Sequence, residues 1–246
     1  MEPILITLSI TVFFAAALQS ATGIGFGVIA GPIMLLLLNS SSSIQISIVL
    51  NLLIAVLLVR SIQLEIDKTI LVQLLIGTVL GLPLGLLIFL NVDIVMLKLL
   101  AGTAISLTAL LVIRNNIMRT KSAAIGPSKR GALVTGVASG LMSSSLAMPG
   151  PVVAAWMSAA GIEKQVVRAT TLTLFVFSYG AALLFQIPFA GFESTTLWTC
   201  LKLVPATIAG VYVGRLIVNW LTERVFSWLI IVILLLTAAF LFASSV

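Results

Sequence analysis

Glycine, proline and hydroxyl residues are concentrated in two short stretches of this chain. The first is Thr22-Gly-Ile-Gly-Phe-Gly27, which Gly31-Pro32 follows, and the second runs from Ser143 to Pro151. Glycine lets the backbone turn with φ of either sign and approach a ligand closely. A helix that starts after such a turn directs unpaired N–H groups and the positive end of its dipole toward the turn. Both stretches are therefore suited to binding a small anion.

Neutral hydrogen-bond donors accompany both stretches, and we expect them to bind the anion together with the backbone N–H groups. Neutral donors suit transport, because a full salt bridge could hold an anion too tightly for release. Arg168 follows the second stretch and is the one cation that we place near the site, at the mouth of that segment. The predicted substrate-binding residues are Gln19, Thr22, Gly23, Gly25, Gly27, Gln45, Ser143, Ser144, Ser145, Gly150, Gln165 and Arg168.

Packing is the alternative role for small residues, because Gly and Ser in membrane helices commonly permit close helix contact. We predict that role for Gly81-xxx-Gly85 and Gly210-xxx-Gly214, and we expect Gly81→Ala to matter less than replacement of Gly25 or Gly27 by Val. For Gln45 and Gln165 a ligand role and a structural role both stay open. Lys98 and Lys202 are predicted to extend toward the membrane surface.

Several kinds of catalytic and metal site are excluded by composition. The chain has no His and one Cys, which excludes internal disulfides, His/Cys metal sites and Ser–His–Asp triads. Each carboxylate lies at a predicted helix end or in a loop, so a buried proton relay has no residues to use. We predict no catalytic residue, no metal, no cofactor and no nucleic-acid partner. We attribute the net charge of +6 to Lys and Arg residues that set the membrane topology, and not to nucleic-acid binding.

The elements that must position these residues are membrane helices. Hydrophobic residues make up 61% of the chain and charged residues 8%, whereas a soluble domain averages about 25% charged residues. We predict an all-α, polytopic protein of the inner (cytoplasmic) membrane, whose partners are the lipid bilayer and a small anionic substrate. Homo-oligomer formation is left open. The predicted spans are 3–38 and 131–160, both interrupted, and 42–60, 69–90, 94–113, 165–187, 195–217 and 224–244.

The interrupted spans are predicted to be hairpins. Their second arms, 28–38 and 151–160, cover only about half a bilayer at about 1.5 Å per residue. The connector 114–130 carries five Lys and Arg residues and should be cytoplasmic. If both interrupted segments enter and return, every charged connector obeys the positive-inside rule, and both termini and residues 188–194 lie outside. Eight simple spans are the conventional alternative.

An internal repeat is indicated by matching residues in matching order. Thr78, Gly81 and Gly85 are spaced as Thr207, Gly210 and Gly214, Gly31-Pro32 matches Gly150-Pro151, and Gln45 matches Gln165. We predict a first repeat over 1–113, the cytoplasmic connector 114–130 and a second repeat over 131–246. Each repeat is a hairpin plus three spans, so the odd number of crossings inverts the second repeat. Inverted repeats with broken helices and a midplane site are typical of secondary transporters.

At these residues the sequence resembles the TauE/SafE sulfite-exporter family. Residues 17–38 carry its first signature, with Gly23, Gly25, Gly27 and Pro32, and residues 131–162 carry its second, with Ser139-Gly140-Leu141 and Gly150-Pro151. Arg168-Ala-Thr-Thr171 is also similar. Ser143–Ser145 replace the usual glycines, which puts the substrate in question.

The resemblance implies a transporter of small sulfur-containing anions, such as sulfite, thiosulfate or sulfonates, or of small organic acids. An anion channel or facilitator is the alternative that the same residues could build. An intramembrane enzyme lacks His and a mid-span acid, and a scaffold protein would have only short loops to offer a partner.

Overall fold

The computed structural model describes residues 2–23, 25–60, 66–117, 126–217, 232 and 235–244. Within these ranges the chain is helical and contains no strand. The helices, in chain order, are α1 (Glu2–Thr22), α2 (Phe26–Leu38), α3 (Ser42–Val59), α4 (Lys68–Asn91), α5 (Ile94–Ile117), α6 (Lys129–Leu146), α7 (Gly150–Ala159), α8 (Lys164–Ala190) and α9 (Ser194–Ile217). Residues 235–243 are also helical.

The helices have the length and surface of membrane spans. Among the described residues, α1, α3, α4, α8 and α9 each contain a segment long and apolar enough to cross a bilayer. Large apolar side chains face outward, with Leu184 74% and Leu216 73% exposed. Such a surface is stable against hydrocarbon and not against water. The prediction of an all-α polytopic membrane protein is confirmed.

Both predicted interruptions are present. Between α1 and α2, Gly23 and Gly25 have φ of 85° and 146°, which L side chains rarely adopt. Between α6 and α7, Ala147 takes the left-handed conformation with φ of 58°. Pro151 lies in the first turn of α7, where its missing N–H costs nothing. Pro32 lies inside α2 instead, so Gly31-Pro32 and Gly150-Pro151 do not occupy equivalent places.

The second interrupted segment is a hairpin. A Cβ added to Gly131, near the start of α6, would lie 2.6 Å from Nε1 of Trp156, near the end of α7. The end of α7 has therefore returned to the level at which α6 began. At about 1.5 Å per residue, the ten residues of α7 extend about 15 Å, half the hydrocarbon core.

Glycines allow two pairs of parallel helices to pack closely. A Cβ on Gly77, Gly81 or Gly85 of α4 would collide with successive carbonyl oxygens of α6, those of Leu133, Val137 and Leu141. Gly210 and Gly214 of α9 meet the carbonyl oxygens of Phe13 and Ala17 of α1 in the same way. The predicted contact role of these glycines is confirmed. A methyl group at position 81 would meet the fixed backbone of α6, so Gly81→Ala is itself unfavourable; the smaller effect expected of it than of Gly25→Val or Gly27→Val stays a prediction.

The directions of the other helices follow from single hydrogen bonds. Gln45 at the start of α3 donates from Nε2 to the Gly191 carbonyl beyond the end of α8, at 2.8 Å, so α3 and α8 are antiparallel. Arg215 near the end of α9 donates from Nη2 to the Leu57 carbonyl near the end of α3, at 2.6 Å, so those two helices are parallel. The N–H of Asp67, before α4, donates to Oγ1 of Thr170 near the start of α8, at 3.3 Å, so α4 and α8 are parallel.

Taken together, these directions show that each of three helices runs opposite to its predicted equivalent in the other half. The equivalent pairs are α1 and α6, α3 and α8, and α4 and α9. An equivalent hydrogen bond also occurs twice, at matched positions of the two halves. Ser20 Oγ donates to the Val211 carbonyl at 2.9 Å, and Ser144 Oγ donates to the Leu82 carbonyl at 2.7 Å. Each acceptor directly follows the matched glycine, Gly210 or Gly81, of the facing helix. Both features are what two inverted halves require.

The first interrupted segment is also a hairpin. A short connection joins α2 to α3, and Ser47 Oγ of α3 donates to Sδ of Met34 at 3.4 Å, so the two helices are antiparallel neighbours. Because α3 runs parallel to α9 and hence to α1, α2 runs back along α1. The repeat boundaries 1–113, 114–130 and 131–246 stay a prediction. Part of the connector, and part of the last predicted span, 224–244, lie outside the described residues.

Candidate functional site

The two breaks meet each other inside the bundle. A Cβ on Gly27, in the first turn of α2, would collide with the carbonyl oxygen of Ala147 in the second break. The same Cβ would lie 3.4 Å from Oη of Tyr179 in α8. Only glycine at position 27 allows this approach, so the start of α2 packs directly against the tip of the second hairpin.

A small cavity of about 10 Å³ lies where the breaks meet. It is lined by Gln19, Gly25, Gly27, Val28, Met148, Gly150, Pro151, Phe175 and Tyr179. Four residues of the predicted site, Gln19, Gly25, Gly27 and Gly150, are therefore brought together from both halves of the chain. In this conformation the cavity has room for about one water molecule.

Gln19 presents a hydrogen-bond donor to this cavity. Its side chain is 1% exposed, and its Oε1 accepts from the N–H of Phe26 at 2.9 Å, which caps the start of α2. Its Nε2 has no partner within the described part of the chain. Because the cap fixes which end of the amide is the acceptor, Nε2 is the end left for a ligand.

The starts of α2 and α7 add positive potential. Gly27, Val28 and Gly150 lie in the first turns of these helices, where backbone N–H groups lack intrahelical acceptors. The positive dipole ends of α2 and α7 therefore point toward the same cavity. No carboxylate is among the described residues that line it. The cavity is therefore electrostatically matched to an anion without holding a fixed cation.

Tyr179 is the polar residue of the cavity that sequence reasoning missed. Its ring is buried beside Phe175, with centroids 5.4 Å apart, and its hydroxyl donates to the Ala147 carbonyl at 3.0 Å. The signal was a phenol in the middle of an apolar span, since a buried Tyr hydroxyl usually finds a polar partner. Attention to the breaks alone could not place a residue of α8 there.

Arg168 packs against the first break, whereas the sequence placed it at the mouth of the second hairpin. Its Nη2 donates to the Ser20 carbonyl at 2.6 Å, and its Cγ would lie 2.6 Å from a Cβ on Gly23. Ser20 belongs to the last turn of α1, where carbonyls lack partners and a cation is favourable. Arg168 therefore binds the tip of the first hairpin to α8.

The remaining predicted residues do not line the cavity. Thr22 and Ser145 hydroxyls donate to carbonyls one turn earlier in their own helices, and Ser144 donates to α4. Gln45 donates to Gly191, and Gln165 is exposed. Ser143 is buried, and its hydroxyl has no partner among the residues that the structure describes. A ligand role for these residues stays a prediction.

A family model described as "Sulfite exporter TauE/SafE" matches residues 8–241. No curated protein and no solved structure matches the chain. The matched range contains the second hairpin, the first hairpin except the start of α1, the cavity between them and every helix from α2 to α9.

Proposed function

Because this chain belongs to the TauE/SafE sulfite exporter family, a family of membrane transporters, we propose that it is a secondary transporter of small anions. The substrates that we propose are sulfur-containing anions, such as sulfite, thiosulfate or a sulfonate, or small organic acids. We place the transporter in the cytoplasmic membrane, and homo-oligomer formation stays open.

The observation that carries this proposal is the cavity between the two breaks. Gln19 Nε2 supplies a donor, and the starts of α2 and α7 supply dipole ends and N–H groups. These are the groups that bind oxyanions in proteins. Because the cavity combines residues of both hairpins, a change in the relative position of the hairpins would change access to the anion.

The chemistry of the cavity also favours release. A buried salt bridge gains stability only with excellent geometry, and breaking it leaves an uncompensated charge. Neutral donors avoid that cost, with a net value of about 0.5–1.5 kcal/mol for an ordinary hydrogen bond and about 1.5–3 kcal/mol for one to a charged group. Several such bonds support binding that is specific and reversible.

We propose export as the physiological direction. One negative charge leaving a cell with an inside-negative potential gains about 2.3 kcal/mol per 100 mV. That gain alone supports roughly fifty-fold outward accumulation of a monoanion.

The direct test is sulfite flux in liposomes that contain the purified full chain. We expect flux above that of empty liposomes, saturation with concentration, and counterflow, in which unlabelled anion inside accelerates uptake of labelled anion. Flux without saturation or counterflow would identify an anion channel. Flux equal to that of empty liposomes, for sulfite and for a panel of sulfur oxyanions and carboxylates, would refute the proposal.

A further inference from the structure

Tyr179 gives the cavity an oxygen acceptor with a defined orientation. Its hydroxyl lies 3.0 Å from the Ala147 carbonyl, which can only accept, so the phenolic proton is directed to Ala147. The lone pairs of Oη are then left for another donor. Oη lies beside Gly27, a residue that lines the cavity, as Tyr179 itself does.

The other side-chain oxygen that lines the cavity is already engaged. Oε1 of Gln19 accepts from Phe26, which leaves Nε2 as a donor. Val28, Met148, Pro151 and Phe175 contribute no oxygen from their side chains. Among the described lining residues, the cavity therefore offers several donors and one side-chain oxygen, Oη of Tyr179, that accepts no hydrogen bond from the described part of the chain.

We propose that the cavity selects a monoanion that keeps one O–H group, such as hydrogen sulfite, over the fully deprotonated dianion. This inference rests on the proposed function and specifies the protonation state of its substrate. The anionic oxygens accept from Gln19 Nε2 and the helix N–H groups, and the O–H donates to Oη of Tyr179. A dianion leaves Oη facing negative oxygen with no proton between them, and it also costs more to remove from water.

The proton then crosses the membrane on the substrate. No carboxylate lines the cavity among the described residues, and none is needed, because the substrate carries its own proton. Each transported molecule moves one negative charge and one bound proton.

The titratable groups of the elements around Tyr179 are distant from it along the chain. On α8 they are Lys164 and Arg168, eleven or more residues before Tyr179; α4 begins with Lys68 after Asp67, and α6 begins with Lys129 and Arg130. The described segments of α2, α3 and α7 contain no titratable side chain. We therefore attribute a pH dependence of transport near neutral pH to the protonation of the substrate.

The first experiment measures the apparent KM for total sulfite in liposomes of the full chain, with equal pH on both sides. As pH rises above the titration of hydrogen sulfite, the protonated fraction falls about tenfold per pH unit. We expect the apparent KM to rise by the same factor. A KM that stays flat, or falls, across this titration would overturn the inference while leaving sulfite transport intact. The absence of flux at every pH would instead refute the proposed function itself.

The second experiment removes the acceptor with Tyr179→Phe and uses Tyr212→Phe, the same change at an exposed position, as its control. The competing anion is methanesulfinate, a pyramidal monoanion with a methyl group in place of the O–H. Loss of one hydrogen bond should reduce the preference for hydrogen sulfite over methanesulfinate by about two- to tenfold in Tyr179→Phe. A purely structural defect would reduce transport of both anions equally, and that result would overturn the role of Oη as an acceptor. If Tyr179→Phe does not fold, the pH series on the wild-type chain decides alone.

Discussion

Replacing Gln19 by Glu separates the two roles of this side chain. A carboxylate oxygen can still accept from the Phe26 N–H, and negative charge is favourable at a helix start, so the cap of α2 is kept. The second oxygen takes the place of Nε2, the donor that has no partner among the described residues. The substitution therefore changes a donor to an anion inside the cavity and leaves the local fold in place.

The magnitude follows from two terms. Loss of a hydrogen bond to a charged ligand costs about 1.5–3 kcal/mol. Repulsion between two unit charges about 4 Å apart adds about 4 kcal/mol at an effective dielectric constant of about 20. The side chain is 1% exposed, so water screens little of this repulsion. Together the terms, about 5.5–7 kcal/mol, predict a loss of anion affinity of at least about ten-thousandfold.

The assay is uptake of labelled methanesulfonate into liposomes, because the charge of this anion does not change near neutral pH. A protonated carboxyl donates and resembles the amide, and burial favours that neutral form. Flux through the Gln19→Glu variant should therefore be absent at high pH and recover as pH falls. Gln73→Glu, on α4 and outside the cavity, is the matched control. A Gln19→Glu variant that keeps wild-type flux at high pH would refute the assignment of Nε2 to the anion.

Three further predictions use matched pairs. Gly27→Ala should lower thermal stability and flux, because its methyl group meets the Ala147 carbonyl, whereas Gly180→Ala has no atom within 4 Å and should change neither; equal melting temperatures would contradict this. Arg168→Ala removes the bond to Ser20 and should reduce flux at equal abundance more than Lys202→Ala does, and unchanged flux would leave Arg168 a topological charge. In a Cys200→Ser background, a cysteine at the exposed position 165 should be labelled only from the cytoplasm and one at 193 only from outside; the reverse pattern at either position would refute the hairpin topology.

The helices and their breaks were accessible from sequence because both depend on local chemistry. Long apolar segments require a bilayer, and several glycines within a few residues favour a break in a helix, whereas a single proline such as Pro32 is tolerated inside one. The spacing of Gly81 and Gly85 likewise predicted close contact before the facing helix was known. The equivalence of Gly31-Pro32 and Gly150-Pro151 could not be settled this way, because it depends on where each helix starts after its break.

The site was only partly accessible, because tertiary contacts decide which polar atoms remain available. Gln19, Gly25, Gly27 and Gly150 lie in or beside the breaks, and the structure brings them to one cavity, while their role in binding an anion stays a prediction. Ser144 has the same chemistry, yet its hydroxyl is used by α4. Tyr179 enters the cavity from α8, a helix far along the chain from the first break, and no local pattern records that contact.

The most direct test of the account is a structure determined with selenite, whose selenium can be located by its anomalous scattering. We expect selenium between the starts of α2 and α7, with one oxygen within hydrogen-bond distance of Gln19 Nε2. Selenium more than one helix diameter, about 10 Å, from both 22–28 and 143–151 would contradict it.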